Sequence, residues 1–242
     1  MMNFFGKYKF CFFNRNGGVS SKEFKSLNCS ISSSDSKENV KKNLNIAKEN
    51  FKSKEILLMN QIHSNKIYFF KKADKTINAD GIISRNPNIA LGVLTADCAP
   101  IIILGKKNFG IIHAGWRGAF SGIIENSVNQ FTRQGDSIDS LNFFVGPHLK
   151  KKSFEVKKDF LTIMKRYEIC PKKFLEEKNN KIFFDFSELI KSKFKKLGVE
   201  NFHISNEDTF SNPKKFFSYR YYCKKGIKNC GRQISLVGIK DN

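Results

Sequence analysis

Histidine is scarce in this chain of 242 residues: it occurs only at positions 63, 113, 148 and 203, so any site with several imidazole ligands draws on a short list. The six cysteines (11, 29, 98, 170, 223 and 230) form no CxxC and show no tight spacing. A chain of this size needs no disulfide staples, and the pattern reads as free thiols of a reducing cytosol. The N-terminus is not expected to act as a secretory leader, because Gly6, Lys7, Lys9 and Asn14 break its apolar stretch short of a leader's hydrophobic core. The longest apolar run, residues 89–105, contains Asp97 and Pro100 and is shorter than a membrane span. No internal repeat and no Pro/Ser-rich linker divides the chain. The expectation is a soluble, cytoplasmic protein of one domain over residues 1–242, with no membrane partner.

Acidic residues are also few. Asp and Glu total 22 against 43 Lys and Arg, a net charge of +21. That balance invites a nucleic-acid reading. However, Lys, Asn, Ile and Phe are enriched together, as an A/T-rich genome would produce. The lysines fall in scattered pairs such as Lys106–Lys107 and Lys195–Lys196 rather than in one aromatic-laced patch. A solvated basic surface is expected, with no specific nucleic-acid partner. Nothing in the residues sets an oligomeric state.

What is present is an apolar fraction of 40% with 25 phenylalanines, which is globular composition. Residues 3–13 read as a strand closed by the turn NRNGGVS. Val40, Leu44, Ala47 and Phe51 recur at helical spacing behind Ser/Asp cap candidates. EILLMNQIHSNKIYFF reads as two short strands or one bent one. Three buried strand runs follow at about 89–95, 100–104 and 109–114. GAFSGIIENSVNQFTRQG is a helix, DSLNFFVGPHL a strand, and SFEVKKDFLTIMKRY and FDFSELIKSKFKKLGV are amphipathic helices. FFSYRYYC and RQISLVGI read as closing strands, and residues 165–181 as a Lys-rich surface excursion. Strands adjacent in sequence argue for a mixed α/β domain rather than a doubly wound parallel sheet.

The chemistry concentrates in ADCAPIIILGKKNFGIIHAGWRG, which sets Cys98 and His113 in the most apolar part of the chain. Three readings stay open: a buried thiol beside a satisfied core histidine, a Cys–His nucleophile and base, or a zinc site that needs a third ligand. Gly115 and Gly118 bracket Trp116 and Arg117 where a strand turns into a helix, a place suited to an anion, with an indole to stack on a base. Asp97 is a candidate to orient or deprotonate a neighbour. His63 sits in the polar notch NQIHSN. Arg15, in NRNGGVS, is a second candidate anion ligand, ahead of Arg220 and Arg232.

The motifs NRNGGVS, NQIHSNKI, ADGII, LTADCAPI, IIHAGWRG, VGP, FFSYR and GRQISLVGI occur in the order found in the laccase-domain (YfiH-like) family, which this chain resembles over residues 10–239. Members were first labelled multicopper polyphenol oxidases and are now regarded as zinc-dependent purine nucleoside enzymes. The resemblance implies a four-layer α/β/β/α sandwich of the α+β class with mixed sheets. It also implies one zinc held by residues matching His63, Cys98 and His113; from their local setting, Cys98, His113 and Asp97 are read as the catalytic group and Arg15, Trp116 and Arg117 as substrate contacts. The implied reaction is phosphorolysis of adenosine, inosine and methylthioadenosine, with adenosine deamination at the same site. Four histidines cannot furnish a multicopper oxidase, whereas one His2Cys zinc is affordable.

The chain departs from the family in GPHLKKKSFEV, where His148 reads as a pocket or surface residue, and at Thr209-Phe210, where members often have Thr-Cys. Two alternatives remain: an amidase or peptidoglycan-editing hydrolase with Cys98 as nucleophile, and a basic nucleic-acid-binding protein with a vestigial site.

Overall fold

The computed structural model describes residues 2–71 and 76–240. From the N-terminus the chain runs through β1 (Asn3–Phe5), β2 (Tyr8–Phe12), α1 (Lys37–Phe51), β3 (Ile56–Leu58), β4 (Ile67–Phe69), β5 (Gly81–Ser84) and β6 (Ala90–Thr95). It continues through β7 (Ala99–Leu104), β8 (Phe109–Ala114), α2 (Trp116–Phe120), α3 (Ile123–Arg133) and β9 (Asn142–Val145). The C-terminal part holds β10 (Glu155–Val156), α4 (Asp159–Arg166), α5 (Pro171–Phe174), β11 (Leu175–Lys178) and β12 (Lys181–Phe184). The last elements are α6 (Phe186–Lys196), β13 (Phe202–Ile204), α7 (Tyr219–Lys224) and β14 (Gln233–Ile239).

The strands form a five-stranded sheet ordered β1-β2-β14-β6-β3, a six-stranded sheet ordered β13-β9-β7-β8-β5-β4, and a small β10-β12-β11 sheet. Both large sheets are mixed: β3 runs parallel to β6, β4 to β5 and β13 to β9, and the other pairs are antiparallel. Alternation along the strands sorts the apolar side chains into three seams. Phe10, Leu91 and Val93 of the first sheet meet Ile82, Ile102 and Ile111 of the second between the sheets. Ile234 and Leu236 point the other way, onto Ala47 and Phe51 of α1. Ile101, Ile103 and Ile112 face Val128 and Phe131 of α3 and Leu189 and Phe194 of α6. Three seams between four layers make the α/β/β/α sandwich, and each fully buried Ile, Leu or Phe contributes about 1.5–3 kcal/mol.

Several local readings change. Residues 3–13 are a hairpin, with Gly6 turning at φ 53° between β1 and β2, rather than one strand. The helix expected over GAFSGIIENSVNQFTRQG is two helices, because Gly122 takes φ 96° between α2 and α3. The Lys-rich stretch 165–181 is not only an excursion, since α5 and β11 lie within it and Phe174 is buried. FFSYRYYC leads into α7 rather than forming a strand: Ser218 caps the helix by accepting from the Tyr221 amide at 3.1 Å. Aromatic residues favour strands, but a satisfied N-cap at a chain reversal overrides that preference.

Candidate metal centre

Strand register assembles the site. In the β7–β8 ladder Ala99 pairs with Ala114 and Pro100 with His113, so Cys98, one residue earlier, lies beside the end of β8. On the other flank of β8, Gly81 pairs with Ile112, which places Asp80 next to His113. The His113 amide donates to the Asp80 carbonyl at 2.7 Å, which extends the ladder by one step. The third component, His63, comes from the loop joining β3 of the first sheet to β4 of the second, with φ 56° at His63 itself.

Asp80 holds the parts together. Its buried carboxylate accepts from the amides of Ile62 (3.2 Å), His63 (3.0 Å) and Ser64 (2.6 Å), from Ser64 Oγ (2.8 Å) and from His113 Nδ1 (2.8 Å). Burial opposes the charge, but these donors outweigh it and hold the carboxyl down at about 2. Gln61 secures the same loop by clasping Leu94 of β6, accepting from its amide at 2.7 Å and donating to its carbonyl at 2.8 Å. With Nδ1 committed to Asp80, His113 offers Nε2 to its neighbours.

The ligand atoms of His63, Cys98 and His113 lie within 4.8 Å of one another, and this group could hold a metal ion. His63 is exposed, Cys98 partly buried and His113 buried. Burial disfavours charge on both Cys98 and His113. Each nonetheless stabilises the other's charged form, so the thiol is held below its ordinary value and the imidazole above its own. Space for an ion is kept by glycine: a Cβ at Gly115 would stand 3.2 Å from both Cys98 Sγ and His63 Cδ2. A Cβ at Gly118 would meet the Ser64 carbonyl at 2.8 Å, so α2 can rest on the His63 loop only without one. Two imidazoles and one thiolate are a donor set that fits zinc chemistry.

These three residues line a cleft of about 1000 Å³, which also takes in Trp116, Arg117, Arg220, Lys228 and Arg232. The exposed Arg117 guanidinium lies over the Trp116 ring at 4.2 Å, while Phe120 and Phe160 pack on the indole edge-on. One indole face is therefore already covered. With only five residues, α2 is too short for its helix dipole to matter much.

Of the other expected site residues, Asp97 lines the cleft and Arg15 does not. Asp97, at φ 87°, has its carboxylate engaged outside the ligand group, accepting from Thr209 Oγ1 and the Arg220 amide, both at 2.6 Å. Burial pushes its carboxyl up against those donors. Asp97 thus moors the 209–220 segment, and the orienting role expected of it is held by Asp80. Arg15 is buried and does not line the cleft: Nε donates to the Lys25 carbonyl at 2.5 Å, Nη1 to the Pro213 carbonyl at 2.7 Å and Nη2 to Tyr222 Oη at 3.0 Å. It straps the N-terminal segment to the 213–222 region. His148 is neither a pocket nor a surface residue, being fully buried with Nδ1 2.8 Å from the Gly146 carbonyl and Nε2 2.9 Å from Ser187 Oγ. His203 is exposed on β13. Asp80 and Lys228 went unread in the sequence. The Asp-Gly pair beside an apolar run was the one signal pointing to Asp80.

Known proteins resemble the chain along nearly all its length. The signature of the family described as multi-copper polyphenol oxidoreductase laccase matches residues 9–240. A protein of Rickettsia conorii named purine nucleoside phosphorylase is 34% identical over 178 residues, 70% of this chain and 72% of that one. The Escherichia coli purine nucleoside phosphorylase YfiH is 27% identical over 240 residues, 95% and 93% of the two chains. Among solved structures, a Neisseria meningitidis protein of the DUF152 family shares the fold at a TM-score of 0.86 and 24% identity, covering 100% of this chain and 99% of its own. A Bacillus licheniformis YfiH protein does so at 0.88 and 24%, over 96% and 93%. With its signature matched from strand β2 to the end of β14, the chain belongs to the YfiH (DUF152) family of laccase-like domains.

Proposed function

We propose that this protein is a zinc-dependent purine nucleoside phosphorylase acting on adenosine, inosine and methylthioadenosine, with adenosine deamination at the same site. The observation that carries the reading is the convergence of His63, Cys98 and His113 at a basic cleft. Three protein ligands leave one position of a tetrahedral ion open, as catalytic rather than structural zinc requires. A zinc ion held there would supply Lewis acidity at neutral pH.

The remaining work falls to the chain's own residues. Asp80 fixes the His113 tautomer, keeping the proton on Nδ1 and a lone pair on Nε2. Arg117, steadied on Trp116, offers phosphate a planar two-pronged donor. Leu149, Phe154 and Phe186 give the cleft an apolar wall for a purine ring. The names of the relatives support the nucleoside substrate class. The test is to incubate the protein with adenosine or inosine, with and without phosphate, and to separate free base, sugar phosphate and deaminated nucleoside. Phosphate-dependent base release supports the reading. Release indifferent to phosphate, or none from protein carrying one zinc per chain, overturns it.

A second reading has its own observation. Cys98 lies beside His113, which is hydrogen-bonded to Asp80, the order of nucleophile, base and orienting group in a cysteine hydrolase. Amide hydrolysis by metal-free protein would favour it over the first.

A further inference from the structure

The cleft carries more positive charge than one phosphate group requires. Arg117, Arg220, Lys228 and Arg232 all line it, and Asp97, its one carboxylate among the described residues, is occupied by Thr209 and the Arg220 amide. The cations divide by their place in the fold. Arg117 follows β8 of the six-stranded sheet, whereas Arg232 directly precedes β14 of the five-stranded sheet, with Lys228 on the loop before it.

The Arg232 side is a built structure. The Arg232 amide donates to Asn28 Oδ1 at 3.0 Å, and its carbonyl accepts from the Cys29 amide at 3.1 Å. Its Nη1 reaches Ser30 Oγ at 3.2 Å, and Ser30 Oγ lies 3.1 Å from Ser32 Oγ. Asn229 Nδ2 donates to Ser34 Oγ at 2.8 Å, tying the two loops together a second time. The lobe thus combines two hydroxyls, a guanidinium and the exposed Lys228 ammonium. A second polar group of the cleft lacks a partner among the described residues. Thr95 lines the cleft at 1% exposure with its hydroxyl unpartnered; it pairs with Gln233 in the β6–β14 ladder and so belongs to the inter-sheet face of the cleft, across from Arg232. A buried hydroxyl without a partner is costly unless a ligand or water completes it.

We propose that Ser30, Ser32, Lys228 and Arg232 form a second phosphate subsite, distinct from Arg117, which receives the 5′-phosphate of a purine nucleotide. The inference rests on the reading of the cleft as a purine nucleoside site. Hydroxyl, guanidinium and ammonium groups suit a phosphate monoester and free orthophosphate alike, and the test separates the two.

Binding of adenosine, adenosine 5′-monophosphate and inorganic phosphate is measured by calorimetry on the full chain and on Lys228→Glu, Arg232→Gln and Arg117→Ala. The expected result is that the nucleotide binds wild type about tenfold or more tighter than adenosine, as one charge-assisted phosphate contact allows. That ratio falls to about one in Lys228→Glu and Arg232→Gln and survives in Arg117→Ala. Lys228 is exposed, so its variant tests the subsite even where Arg232→Gln fails to fold. Equal affinity for nucleotide and nucleoside in wild type overturns the proposal, as does an advantage that survives Lys228→Glu. Loss of orthophosphate binding in Lys228→Glu without any nucleotide advantage assigns the lobe to the free ion and overturns it too. In these cases retained adenosine binding leaves the nucleoside reading standing, and a wild type that binds neither purine overturns both.

Discussion

Asp80→Asn isolates what the buried carboxylate does. In the native chain one oxygen takes the Ile62 and Ser64 amides and Ser64 Oγ, and the other takes the His63 amide and His113 Nδ1. An asparagine side chain has the same shape but only one accepting oxygen. The better orientation keeps that oxygen on the three-donor side and turns the NH2 group toward His63 and His113. The His63 amide then faces a donor. His113 can answer only by moving its proton to Nε2, the nitrogen that faces Cys98 and would bind the metal. Losing two charge-assisted contacts in a buried setting costs about 2–4 kcal/mol of folding stability. Removing the group that orients a metal-binding histidine costs about 10–100-fold in metal affinity. The assay pairs thermal unfolding with zinc affinity by chelator competition, each at neutral pH. A variant that loses stability yet binds zinc as wild type does would refute the argument that Asp80 sets the His113 tautomer.

Other expectations follow from single groups. Cys98→Ala should abolish zinc binding, phosphorolysis and deamination together, read as metal stoichiometry beside the two rates; deamination by the zinc-free variant would contradict a shared site. Arg117→Ala should keep its zinc while phosphate use weakens by about 1.5–3 kcal/mol, seen as a raised KM for phosphate. Arg15→Ala should lower stability by about 2–3 kcal/mol, because three acceptors, one buried and two partly buried, lose their donor, with zinc content of the folded fraction unchanged; a specific loss of phosphate affinity would instead place Arg15 in the site. Burial, and then the Lys150 ammonium, push the His148 imidazole down to about 3, whereas an unfolded histidine protonates near 6.5. Below about pH 6.5 the unfolded chain takes the extra proton, so stability should fall by about 2 kcal/mol between pH 7 and pH 5. Chemical denaturation across that range should show a shallower fall in His148→Asn.

The sequence alone determined the elements whose evidence is local. The apolar runs of β6, β7 and β8 sit within a residue or so of where periodicity puts them, because strand burial leaves its mark on consecutive positions. The trio His63, Cys98 and His113 was legible through motif resemblance, since each stands in a distinctive short stretch, and the structure brings the three together. Only the tertiary structure decided what each polar group faces. Asp97 and Asp80 look alike in sequence, yet the β5–β8 register delivers Asp80 to His113 while Asp97 turns to Thr209 and α7. Arg15 and Arg117 both sit beside glycines. One is drawn inward by carbonyls from residues 25 and 213, the other is left over an indole at the cleft. FFSYRYYC carries the side chains of a strand and leads into a helix because Ser218 caps it. A residue's own type limits the bonds it can make, but its partners here lie up to 207 positions away, and no window of sequence contains them.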